Sequence, residues 1–365
     1  MNTSGAITTA QSGASTVTLG TGTATVVSMG SDTINASTGS SNVTVMENAS
    51  VNGSSGSMTV TGGAGHVRFM GGSGIMTYYG GTGTSTISGG AGSTIVFGGS
   101  GGQFTGGTLG GNIMVAQGTT GSTTSLTGAG GGNQIFGSAA GTDVLTAGSG
   151  RDSILGGGAT TTINGGATAS VIFTGGGPTT VADGTGGQNT IVGGTGTVSV
   201  TATNGDAIFG NEGALNVVGS TTASDSIIGG AGALTVTGRG ENMLVVAGTT
   251  TSRITTGDGA SLIFAGSGNM SLAGGAGSMQ VVAGSGNATI TEGTGPTTLD
   301  VINGTAGGTD VINGFRPGTD AISLFGYETS GVQVSTASGS TLISLSDGTR
   351  IQLIGVANPT QSLFS

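Results

Sequence analysis

Six aspartates stand where their spacing could gather a hard cation: Asp143, Asp152, Asp206, Asp225, Asp310 and Asp320. Asp143 and Asp152 are nine residues apart. Asp206 and Asp225 are nineteen apart, and each directly precedes an apolar run, "DAIF" and "DSII". Calcium takes roughly six to eight oxygens from carboxylates and backbone carbonyls. A carboxylate that returns to one face at a fixed interval, among glycine turns that bare their carbonyls, suits that ion. The six are therefore the candidate calcium ligands. The alternative is that each is an isolated turn aspartate held in solvent.

Little else in the chain could do chemistry. His66 is the single histidine and cysteine is absent, so no His/Cys metal cluster or thiol nucleophile can form. The segment "GGSGG" (98–102) has the form G-x-S-x-G, but with 83 glycines such a match arises by chance, and no helix follows to make a nucleophile elbow. A solenoid wall can carry a carboxylate pair, but the sixteen acidic residues are scattered over the chain and form no cluster that marks one. The expectation is a protein that is not an enzyme, with calcium at few sites as its one candidate cofactor.

What positions these residues is a repeat. "GGAGHVRFMGGSGIMTYYGGTGTSTISGGAGSTIVF" (62–97) is four nine-residue units, each opening Gly-Gly-x-Gly and each with an apolar eighth place: Phe69, Tyr78, Ile87, Val96. This is nearly the calcium-binding nonapeptide G-G-x-G-x-D-x-U-x of parallel β-rolls. Its sixth place holds Val67, Met76, Ser85 and Thr94 instead of aspartate. The beat continues at 147–155, 165–173, 193–201, 229–237, 257–265 and 274–282, with insertions at 98–121 and 183–192. Strand side chains alternate, so the sixth and eighth places share a side. The eighth is apolar and must face inward. The sixth therefore faces inward too, and oily or hydroxylated residues there replace buried carboxylates. His66, in a fifth place, should face out, and of Tyr78 and Tyr79 one ring should face each way.

The spacing predicts an all-β chain: a parallel β-roll or β-solenoid in which two nonapeptides make one flattened coil with a strand on each wall. β-branched residues and glycine disfavour helix throughout. Three segments are expected: irregular N-terminal coils over 1–61, a Gly-rich nonapeptide solenoid over 62–299, and a C-terminal cap over 300–365. Asp347-Gly348 between alternating runs in "STLISLSDGTRIQLIGV" (340–356) predicts a β-hairpin.

The repeats resemble those of the RTX proteins, the secreted bacterial family built on calcium nonapeptides. The match is strongest at "GTDVLTAGSGRDSILGGG" (141–158), where Asp143 and Asp152 take the ligand place. "DVINGFRPGTDAISLFGY" (310–327) is similar to the segment that closes many RTX rolls, D-x-I-x-D-F-x-x-G-x-D-x-I-x-L, with Gly314 where that pattern has an aspartate. The resemblance implies export by a type I secretion system through an uncleaved C-terminal signal, hence an extracellular or cell-surface location.

Composition narrows the partners. The net charge is −10 from six arginines, no lysine and sixteen acids, which disfavours nucleic acid and acidic membranes. No apolar run approaches the ~18 residues of a transmembrane helix. Charged residues make up only 6% of the chain, far below the ~25–35% that keeps proteins apart. The expected partner is the chain itself. Uncapped repeats with bare ends would dock head-to-tail into a filament or surface layer, largely without calcium. The second expectation is a calcium-binding adhesin or ligand binder on the cell surface, taking a glycan or, through hydroxyl ladders such as "TTTIN" (160–164), ice.

Overall fold

The computed structural model describes residues 12–357, 363 and 364, together with the backbone of 2–3 and 7–10. Two compact units, Met1–Asn189 and Thr190–Ser365, divide the chain. Each is an all-β parallel solenoid, about 17 turns in total. Among the described residues helical conformation is limited to 3-10, in the turn Thr329–Gly331 and at Leu363. No helix is long and apolar enough to cross a membrane.

In the first unit each coil contributes one strand to each of two walls. Val67–Met70 lies in parallel between Ala49–Asn52 and Ser85–Ser88 on one wall. Met76–Tyr79 lies between Met58–Thr61 and Thr94–Phe97 on the other. Strict alternation inside each strand makes the core. Val67, Phe69, Met76, Tyr78, Ser85 and Ile87 all point in and are buried. The sixth and eighth places thus share the interior, as the repeat predicts. Tyr78 is fully buried while Tyr79 is 44% exposed, and His66 faces solvent. The Tyr78 hydroxyl meets Ser85 Oγ, and its ring packs 6.0 Å from that of Phe104. Burying a side chain such as Phe69 contributes roughly 1.5–3 kcal/mol, repeated coil after coil.

The glycines serve the turns. A Cβ on Gly90 would land on the carbonyl oxygen of Gly72, so turns stack backbone on backbone. Insertions leave the ladders in phase. The strands Gly102–Thr105 and Ile113–Val115 continue their walls through the extra residues of 98–121.

The second unit repeats the design from Thr190–Val192 and Val198–Thr201 onward. One wall ends on Ala321–Phe325. The other passes from Thr309–Asn313 to Arg350–Ile354 in parallel, then reverses. Ser340–Leu345 and Val332–Ala337 add antiparallel to it. The final strand therefore joins the stack directly, and the hairpin before it extends the sheet. The Asp347-Gly348 turn lies where expected, with Gly348 at φ 93°. A second hairpin turn, Ser338-Gly339, has both residues at positive φ, 51° and 74°, the type I′ geometry.

Candidate functional site: the inward polar column and the outer faces

All six candidate aspartates are at most 4% exposed, so none is a solvated turn residue. That corrects the solvated alternative. Asp143 and Asp152 lie on opposite walls, because the first belongs to the ladder of Thr142–Thr146 and the second immediately precedes Ser153–Leu155. Their neighbours one coil on are Thr161 and Ser170. Asp206 and Asp225 stack in register, the extra residue between them being absorbed in the turn.

One contact recurs at four of the six, Asp152, Asp225, Asp310 and Asp320. The inward Asp or Asn at the head of a strand accepts the backbone N–H of the residue one coil before it. Thr94 N donates to Asn112 Oδ1 (2.8 Å), Asn112 N to Asn133 Oδ1 (3.2 Å), and Asn133 N to Asp152 Oδ1 (2.7 Å). The same bond joins Ser15 N to Asp32, Ser170 N to Asn189, Asp206 N to Asp225, Ala288 N to Asp310 and Thr297 N to Asp320. A second N–H often comes from the turn of the same coil. Gly148 N donates to Asp152 Oδ2 at 2.7 Å, Ser138 N to Asp143 Oδ2 at 2.6 Å, and Ser220 N to Asp225 Oδ2 at 2.6 Å. Where a turn enters a strand, the peptide N–H points inside the stack with no carbonyl to meet it. A short Asx side chain provides the acceptor a buried donor requires.

At the cap a cation of the chain's own completes the arrangement. Arg316 Nε and Nη2 donate to Asp320 Oδ2 and Oδ1 at 3.0 and 2.9 Å. Its Nη1 reaches Thr294 O at 2.9 Å and Nη2 reaches Gly295 O, both on the preceding coil. Hydrogen bonding to Asp320 raises the guanidinium above its ordinary range and keeps it charged. Glu292, bonded to Thr297 Oγ1, is pushed up by burial and then by the nearby Asp320 charge. Asp310 differs. Only its Oδ1 has a partner; Oδ2 is buried without one, and burial pushes the carboxyl to about 7. Asp143 Oδ1 and its register neighbour Thr124 Oγ1 are likewise buried without a partner.

Calcium fits this donor set poorly. Among the described residues no three His, Cys, Asp or Glu side chains converge on a point. Asp152, Asp225 and Asp320 already spend both oxygens on N–H donors.

The outer faces show a division not anticipated from sequence. In the first unit one wall presents hydroxyls outward, in the register Ser88, Thr105, Thr127, Thr146. The other presents Tyr79, Phe97, Val115, Phe136, Leu155 and Phe173 in unbroken register. The Tyr79 and Phe97 rings stack 5.3 Å apart and nearly parallel. In the second unit Val192, Phe209, Ile228, Val246, Phe264 and Val282 form an equivalent column. Beside it a shallow groove of about 610 Å³ crosses successive coils, floored by Ser226, Leu244, Leu262, Gln280 and Thr298. The signal lay in the ninth place of the repeat. It runs Met70, Tyr79, Ser88, Phe97, so from Tyr79 an apolar residue returns every second nonapeptide on one wall while the other holds Met70 beside Ser88, and the insertions obscure it.

Ser100 of the "GGSGG" segment sits in a turn with its N–H bonded to Gly81 O. No family model matches the chain, and no curated protein matches it.

Proposed function

We propose that the chain is a secreted, RTX-like bacterial structural protein. Its solenoid coheres without calcium and joins end-to-end into an extracellular filament or surface layer, with no catalytic step. One observation carries this: the inward carboxylates are answered by the chain's own N–H groups and by the Arg316 guanidinium, leaving the ion little to do. Electron micrographs of the purified protein with calcium and with chelator test the reading. Polymers of the same kind are expected in both, and dispersed monomers in both would end it.

The second reading is a calcium-dependent adhesin or ligand binder. Asp143 Oδ1 and Asp310 Oδ2, buried without partners, favour it. It requires that chelator abolish most of the β signal in circular dichroism.

A further inference from the structure

We infer that the C-terminal sheet of the second unit carries a binding pocket for a small hydroxylated carboxylate, of the sugar-acid class, held by Arg350. A cavity of about 260 Å³ opens on the outer face of that sheet, over the strands Thr309–Asn313, Arg350–Ile354, Ser340–Leu345 and Val332–Ala337. It lies where the wall changes from parallel to antiparallel pairing, with Arg350 opposite Thr309 on one side and Ser344 on the other. Alternation turns Ile351 and Leu353 into the core and leaves Arg350 and Gln352 outside. The double pairing fixes the backbone here, and Arg350 N donates to Gly308 O at 3.0 Å. The side chain is exposed, and among the described residues it makes no ion pair; the one ion pair there joins Arg316 to Asp320.

Charge and donor chemistry decide the class of ligand. The lining offers the guanidinium, the Gln352 amide and the hydroxyls of Thr309, Ser335 and Ser340, and it contains no acidic residue. A guanidinium presents paired N–H donors that match the two oxygens of a carboxylate. One cation balances one negative charge. A phosphate group carries more than one, and would bring the excess to a chain whose net charge is already −10. The amide and hydroxyls suit the hydroxyl groups of the same ligand, while Leu342 and Ala337 give its C–H face an apolar contact. The volume lies below the ~300–1,000 Å³ of drug-sized sites, which suits a single sugar-acid residue. The larger groove beside the apolar column of this unit has no cationic side chain in its lining, so it offers such a ligand no anchor.

Ligand-detected NMR on the full protein tests this, with sodium glucuronate, glucose and inorganic phosphate as probes. Glucuronate should bind saturably in the millimolar range, because the pocket is small and open to solvent. Glucose, which lacks the carboxylate, should bind about tenfold more weakly. Arg350→Gln should weaken glucuronate by about tenfold, the loss of a bidentate charged contact. Arg350→Lys should recover only part of this, since an ammonium lacks the planar fork. Ser335→Trp fills the pocket from an exposed strand and should abolish binding independently, so a folding defect in either Arg350 variant, read by circular dichroism, does not shield the proposal. Three results would each overturn it: no saturable glucuronate binding, binding unchanged in Arg350→Gln and Ser335→Trp, or phosphate bound as tightly as glucuronate. The inference is independent of the end-to-end reading, and dispersed monomers in the micrographs would leave it standing.

Discussion

A carboxylate sealed inside a stack of strands must be neutral, paired with a cation, or surrounded by donors, and this chain uses all three solutions. Asp152 is surrounded: it accepts from Asn133 N, Asn133 Nδ2 and Gly148 N. Asp152→Ala leaves those donors buried without an acceptor, and each such donor costs about 1–3 kcal/mol. We expect a loss of roughly 3 kcal/mol or more in denaturant unfolding, with Asp152→Asn losing about half as much. Asp310 takes the neutral route. Its folded value near 7 lies above the ordinary 3.8, so the native state binds the extra proton. Stability from this group is fully present below about 4, falls as pH rises toward 7, and is lost above it. Asp347 behaves oppositely: the Tyr327 hydroxyl and the N–H groups around it outweigh its partial burial and hold it below its ordinary value. Its contribution fades only as pH drops below that ordinary value, outside the Asp310 window. Acidifying from pH 8 to pH 5 should therefore raise the melting temperature. Asp310→Asn should raise it at pH 8 by the equivalent of up to about 4 kcal/mol and flatten the slope. A wild-type melting point that does not change between those two pH values would refute the assignment.

Turns and the cap are the elements on which the stack depends. Gly90 admits no side chain because Gly72 O lies where a Cβ would go. Gly90→Ala should cost roughly 1–3 kcal/mol by overpacking, with no change in any surface property. At the cap, Arg316 ties Asp320 to the carbonyls of Thr294 and Gly295 on the coil before. Arg316→Ala leaves a buried carboxylate, the partly buried Glu292 and two bare carbonyls facing one space. The variant should melt several degrees lower than wild type, and added calcium should restore part of the loss while leaving wild type unmoved. Differential scanning fluorimetry across a calcium series would show this. Identical calcium responses in the two proteins would mean that Arg316 does not stand in for an ion.

At the scale of the molecule, stability in a solenoid is close to a sum of coil and neighbour terms. The described coils are closed by packing such as Tyr78 on Phe104 and, where an inward Asx stands, by clamps, not by one essential site. Wild-type circular dichroism and melting should thus be the same in calcium and in chelator. A chelator-induced loss of more than half of the β signal would favour the adhesin reading instead. Of the two outer faces of the first unit, one carries a column of hydroxyls and the other an apolar column.

Much of this was legible from residues alone. The nonapeptide beat of 62–97 dictates turn, strand and alternation. It places Val67 with Phe69 and Met76 with Tyr78 inside, because a period of two and a buried eighth place leave no other arrangement. The Asp347-Gly348 hairpin was equally local, a matter of turn chemistry. Three things needed the tertiary structure. The partners of the aspartates did, since an N–H arriving from a residue 19 positions earlier depends on the exact coil length, which insertions reset. The role of Arg316 did, because its acceptors belong to a coil some 22 residues before it. So did the contrast between walls, for only register shows that Tyr79, Phe97 and Val115 share one face while Ser88 and Thr105 share the other. Local pattern decides which way a side chain points; what it meets there is decided by the stacking of coils of unequal length.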